Sequence, residues 1–151
     1  EARGVAGVVA TTLLDMSDEA AFLAAARWRW LGRIGLLAAR RAPALLDPIP
    51  LPLRFAAPLD AMSTAPEIAD LLRRDPLVGR LVVPMRFWRT LHAYRRDSLD
   101  LPCPLLVVHP GADTWTKPRL TEATFGRVRT EKRFVLLTNG AHLPLERPAR
   151  D

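Results

Sequence analysis

Three compact apolar runs and one long amphipathic stretch divide this chain. The first run, Val5-Ala6-Gly7-Val8-Val9-Ala10-Thr11-Thr12-Leu13-Leu14, is unbroken by charge and partly β-branched. That composition predicts a strand buried on both faces, the kind that parallel sheets use. Asp15-Met16-Ser17 ends it. Ser17 is then the expected N-cap, with Asp18 and Glu19 at the positive end of a helix dipole. The helix is expected over 18–41, stopping before Pro43. Ala24, Trp28, Leu31, Gly35 and Ala38 fall on one side of it, and Arg29, Arg33 and Arg40 on the other. Two readings follow. The helix packs on its own domain, or it lies against a membrane as a cap helix, with arginines near headgroups and tryptophans at the interface.

Pro43, Pro48, Pro50, Pro52, Pro58 and Pro66 crowd the next segment, which excludes a long helix there and predicts an extended connection. Thr64-Ala65-Pro66-Glu67 reads as a capping box that opens a short helix ending near Asp75-Pro76. A further helix is expected over 85–96, with Met85, Trp88, Leu91 and His92 on one side. The second and third apolar runs, 104–109 and 133–137, predict buried strands around a proline-opened helix over 118–128. Pro144 is read as the start of a final helix. The order strand, helical stretch, strand, helix, strand predicts an α/β protein with a parallel sheet. The boundaries read as a core strand over 1–16, a helical cap insertion over 17–98, and a C-terminal core over 99–151.

Composition narrows the picture. Apolar residues make up 49% of 151 positions, enough for a core and too many for a disordered tail. The net charge of +6 comes from 22 basic and 16 acidic residues, and every basic residue except Lys117 and Lys132 is arginine. These charges are scattered and no nucleic-acid-binding motif accompanies them, so no nucleic-acid partner is expected. The one cysteine, Cys103, excludes an internal disulfide and fits a reducing, cytoplasmic compartment. No apolar run approaches the ~20 residues that span a bilayer. No His, Cys or carboxylate cluster has metal-ligand spacing, and no glycine-rich phosphate loop is present, so no metal or cofactor is expected. The first residue is Glu1, the first apolar run starts almost at once, and the chain stops at Asp151 where a helix would be starting. The expectation is a piece of a longer protein.

Two loops carry the candidate chemistry. His109-Pro110-Gly111-Ala112-Asp113 follows the second predicted strand, and Asn139-Gly140-Ala141-His142 follows the third. Ligands bind at the carboxyl ends of strands in an open parallel sheet, so Asp113 and His142 are expected to meet there. A carboxylate beside an imidazole fixes one tautomer and stabilises the imidazolium, which suits general acid–base work. Asp15 also follows a strand and is the alternative acid. His109 reads as a structural residue at a strand end, and His92 as a packing or surface group.

These loops resemble those of serine α/β-hydrolases of the monoacylglycerol-lipase and serine-aminopeptidase type. That family's acid loop is an apolar strand, then His-Gly, two residues, and Asp; here the His–Asp separation matches but Gly111 stands one place late. Its histidine loop matches Gly140-Ala141-His142-Leu143-Pro144 well, and Asp75-Pro76-Leu77-Val78 also looks familial. The resemblance implies the C-terminal part of an α/β-hydrolase fold with an inserted cap. It makes Asp113 and His142 the catalytic acid and histidine, in the family's Ser, Asp, His order. The elbow Gly-x-Ser-x-Gly is missing: Ser17, Ser63 and Ser98 are the only serines, and none has those flanks. Cys103 precedes its strand and so lies at the wrong end to substitute. The implied function is cleavage of a carboxylic ester, lipid or acylglycerol-like, by a serine outside this chain, with Trp28, Trp88 and Trp115 as substrate-binding residues. Trp115 reads equally as a core or surface residue. Two alternatives stay open: an aspartate nucleophile, as in epoxide hydrolases and dehalogenases, and a non-catalytic binding protein.

Overall fold

The computed structural model describes residues 4–96 and 98–144. They separate into two units, one made of the described parts of Glu1–Leu14 and Arg96–Asp151, the other of Asp15–Arg95.

The first unit is built on a three-stranded parallel sheet in the order β1-β4-β5. Its strands are β1 (Val8–Ala10), β4 (Leu105–Pro110) and β5 (Lys132–Leu137); β2 and β3 belong to the second unit. Leu105 and Val107 on β4 are almost fully buried, and Ala10, Leu13, Leu101, Phe125, Val128 and Phe134 pack around them. The helix α7 (Pro118–Arg127) opens on a proline, whose fixed φ and missing N–H suit a first turn. Its last carbonyls are held by Lys132, whose Nζ donates to the oxygens of Phe125 and Val128 at 2.7 Å each. A cation there also complements the helix dipole.

The first strand is shorter and less buried than its sequence predicts. Only three residues join the ladder, and Val9 is 71% exposed. After Ala10 the chain leaves the sheet, and the Leu13 N–H donates to Thr121 Oγ1 on α7 at 3.2 Å. Leu13 therefore serves the core from a loop. The final helix expected from Pro144 onward falls outside the described residues.

The second unit holds α1 (Glu19–Ala25), α2 (Arg29–Arg41), α3 (Pro43–Leu46), α4 (Leu53–Ala56), α5 (Pro66–Arg74) and α6 (Met85–Ala93). A short antiparallel pair joins β2 (Pro50–Pro52) to β3 (Val82–Pro84). The single helix expected over 18–41 is two helices. Ala26 and Trp28 are extended, with ψ of 142° and 112°, and the Arg27 N–H donates to the Ala56 carbonyl at 2.8 Å. The first cap is Asp18, not Ser17: its Oδ1 accepts from the Ala21 N–H at 3.0 Å. The break resets the phase of α2, so its buried residues are Leu36 and Ala39 while Leu31 is 42% exposed. At Gly32 a Cβ would stand 3.1 Å from Leu23 Cδ2 and 3.2 Å from the Ala26 Cβ, so glycine permits the close approach of α1 and α2. The helix α5 starts after Ala65, which as N-cap has no side-chain cap bond, with Pro66 in its first turn. Among the described residues no helix is long and apolar enough to cross a membrane.

Candidate functional site

Parallel pairing of β4 with β5 brings the two candidate loops together. His109 lies opposite Leu136 and Pro110 opposite Leu137, so both strands end level. Beyond that point the loops are sewn by backbone: the Gly111 N–H donates to Leu137 O at 2.7 Å, and the Ala112 N–H to Gly140 O at 2.9 Å. A Cβ on Gly111 would stand 3.0 Å from that Leu137 oxygen, so a side chain at 111 would crowd the turn. Pro110 is still part of the ladder, and the chain first turns at Gly111.

Asp113 and His142 then meet. His142 Nδ1 is 2.8 Å from Asp113 Oδ2. Three further donors hold the carboxylate. Oδ1 accepts from the N–H groups of Trp115 at 2.8 Å and Thr116 at 2.9 Å, and Oδ2 accepts from Thr116 Oγ1 at 2.6 Å. The Asp113 side chain is wholly buried, whereas that of His142 is 17% exposed. Burial alone pushes the Asp113 carboxyl up, but the hydrogen bonds from His142 and Thr116 outweigh it and hold the group below its ordinary value. An ionised carboxylate can only accept, so His142 Nδ1 carries the proton of this bond. Trp115 packs on the imidazole, with ring centroids 4.6 Å apart at 45°.

His109 lies beneath this pair, fully buried at the end of β4. Its Nε2 is 2.9 Å from the Thr116 carbonyl, which makes Nε2 the protonated nitrogen and leaves the buried Nδ1 without a hydrogen-bond partner among the described residues. Burial pushes its pKa down; the Thr116 carbonyl and Asp113 oppose this only in part.

The other candidates take different places. Asp15 accepts from the Ser17 N–H at 2.9 Å, in the turn before α1. Cys103 is buried just ahead of β4, at the opposite end of that strand from Asp113. His92 is a packing residue of the second unit: its Nδ1 lies 2.9 Å from Met16 O, its Nε2 lies 3.1 Å from an Arg40 nitrogen, and its ring tilts against Phe22. Trp28 and Trp88 line an apolar cavity of about 250 Å³ within the second unit, with Phe22, Leu36, Phe55 and Met85 among its walls. Arg89, also on its wall, is paired with Asp47 through two hydrogen bonds, of 2.8 and 2.5 Å. Among the described residues no group of three or more His, Cys, Asp or Glu could hold a metal ion.

Sequence reasoning missed Thr116. The available signal was a hydroxyl residue three places after an aspartate, a spacing at which side chains bond the local backbone.

No protein-family model and no curated protein matches the chain. Among solved structures it is similar to a monoacylglycerol lipase from Paleococcus ferrophilus, with a TM-score of 0.59 and 16% identity. The likeness covers 97% of this chain and 54% of the lipase, so the chain spans about half that protein's length. At this identity the likeness shows the fold: a mixed α/β chain with a parallel sheet, arranged like part of an α/β-hydrolase.

Proposed function

We propose that this chain supplies the acid and histidine of a serine hydrolase that cleaves carboxylic esters, within the C-terminal core and helical cap of an α/β-hydrolase fold. The observation that carries this reading is the 2.8 Å bond between a sealed Asp113 carboxylate and a partly open His142 imidazole, at the carboxyl end of a parallel sheet. In the proposed reaction His142 Nε2 takes the proton of a serine hydroxyl as that oxygen attacks the ester carbonyl. The imidazolium then returns the proton to the leaving alcohol, while Asp113 holds the ring and its charge. The serine comes from a nucleophile-elbow segment outside this sequence. Within the second unit by itself, the apolar cavity lined by Trp28 and Trp88 offers dispersion contacts suited to a hydrocarbon group, and its Arg89 is already paired.

The test is made on a polypeptide that extends this chain to include such a segment. It should take up a serine-directed fluorophosphonate and hydrolyse a p-nitrophenyl ester. Asp113→Asn should lower kcat by on the order of 10⁴-fold with the serine still present, and His142→Ala should remove labelling. Hydrolysis unchanged by both substitutions would refute the proposal. So would ester turnover by the 151-residue chain alone that His142→Ala abolishes.

A further inference from the structure

We infer that Thr116 is the positioning residue of the Asp113–His142 pair, keeping Asp113 Oδ2 ionised and aimed at the imidazole. The inference rests on the reading of that pair given above. All three polar groups of Thr116 are engaged in one place. Its N–H donates to Asp113 Oδ1 at 2.9 Å, its hydroxyl donates to Oδ2 at 2.6 Å, and its carbonyl accepts from the buried His109 Nε2–H at 2.9 Å. The hydroxyl oxygen also lies 3.2 Å from His142 Nδ1, so Thr116 Oγ1, Asp113 Oδ2 and His142 Nδ1 form a closed triangle. Thr116 itself is 2% exposed.

This triangle has a chemical consequence. A carboxylate sealed from water needs a donor on each lone pair that faces protein, and the hydroxyl proton supplies one that His142 cannot. With the hydroxyl bond in place the carboxylate can rotate only by breaking four bonds, so Oδ2 stays directed at Nδ1. A charge-assisted O–H···O⁻ bond also favours the ionised carboxyl over the neutral one. His109 fixes the carbonyl side of Thr116 from below, which stops the loop from relaxing to place the hydroxyl elsewhere. The titratable groups facing this cluster are His142 and His109, with Glu122 acting on His109.

The test is proton NMR of the 151-residue chain, following the low-field resonance of the Asp113-bound His142 Nδ1–H as pH is lowered. Thr116→Val removes the hydroxyl and keeps the shape. In that variant the resonance should broaden or move, and it should be lost on acidification at a higher pH than in the parent chain. Thr116→Ser should restore the parent behaviour, and Thr116→Ala should repeat the valine result. A Thr116→Val or Thr116→Ala profile that superimposes on the parent would overturn the inference, as would Thr116→Ser behaving like valine. Asp113→Asn separates the two readings. If it leaves the resonance unchanged, the acid–base pair itself is refuted; if it removes the resonance while the Thr116 variants are silent, only the role of Thr116 is refuted.

Discussion

Asp113, in its loop, and His109, on the strand that leads into it, make folding depend on pH in the same direction through opposite charges. The folded Asp113 carboxyl is held below its ordinary value of 3.8, so ionisation favours the folded state. Its contribution is complete above that value and is lost as pH falls through the folded midpoint. His109 is held below its ordinary value of 6.5, so the folded state prefers the neutral ring. Below pH 6.5 the unfolded chain takes up a proton that the folded chain refuses, and stability declines until the folded ring also protonates. Urea midpoints measured from pH 7 downward should therefore begin to fall near pH 6.5. His109→Gln, which keeps an N–H for the Thr116 carbonyl but does not titrate, should flatten that first decline and leave the carboxyl decline at lower pH in place. Equal slopes in both chains between pH 6.5 and 5 would contradict this account. At this scale the sequence revealed Asp113 and His142 because each stands just past a strand end. It hid Thr116, because bonds made inside a four-residue loop leave no periodic trace.

Among elements, legibility followed chemistry. The spans of β4, α7 and β5 were readable because short apolar runs and an N1 proline mark them directly, but β5 is not the buried strand its sequence predicts: none of its residues is buried and Leu136 is 48% exposed. The break between α1 and α2 was not, because Ala26-Arg27-Trp28 contains no glycine or proline and fits a helix by propensity; a bond from the Arg27 N–H to Ala56, 29 residues on, decides it. Prolines at 50, 52 and 84 likewise disguised β2 and β3, whose pairing is short enough to tolerate them. The glycines of α2 offer a sharp test of the packing. A Cβ on Gly35 would meet only the flexible end of Met85, at 3.8 Å, beside the apolar cavity, whereas one on Gly32 would press on Leu23 and Ala26. Gly35→Leu should therefore fill space and gain helix propensity, raising stability by about 1 kcal/mol or more. Gly32→Leu should lower it by about 1–3 kcal/mol through overpacking. Thermal melts of the two variants moving in the same direction would show that the cavity, or the approach of α1 to α2, is misplaced.

For the molecule as a whole, the decisive feature is the sheet edge at β1. Parallel strands are ordinarily covered on both faces and paired on both sides. Among the described residues β1 pairs only with β4, and Val8 and Val9 are 36% and 71% exposed. The sequence predicted burial here because an apolar, β-branched run carries no record of how many neighbours the fold provides. An exposed apolar edge with unpaired N–H and C=O groups is a template for another chain. The 151-residue chain should accordingly self-associate as its concentration rises. Val9→Lys, which places a charge on that edge without touching the buried Leu105 and Val107, should suppress the association. The Asp113–His142 resonance should survive the change, because the loops that hold it hang from β4 and β5. Light scattering that shows a monomer at all concentrations, or association undiminished by the lysine, would show that this edge is not the adhesive surface.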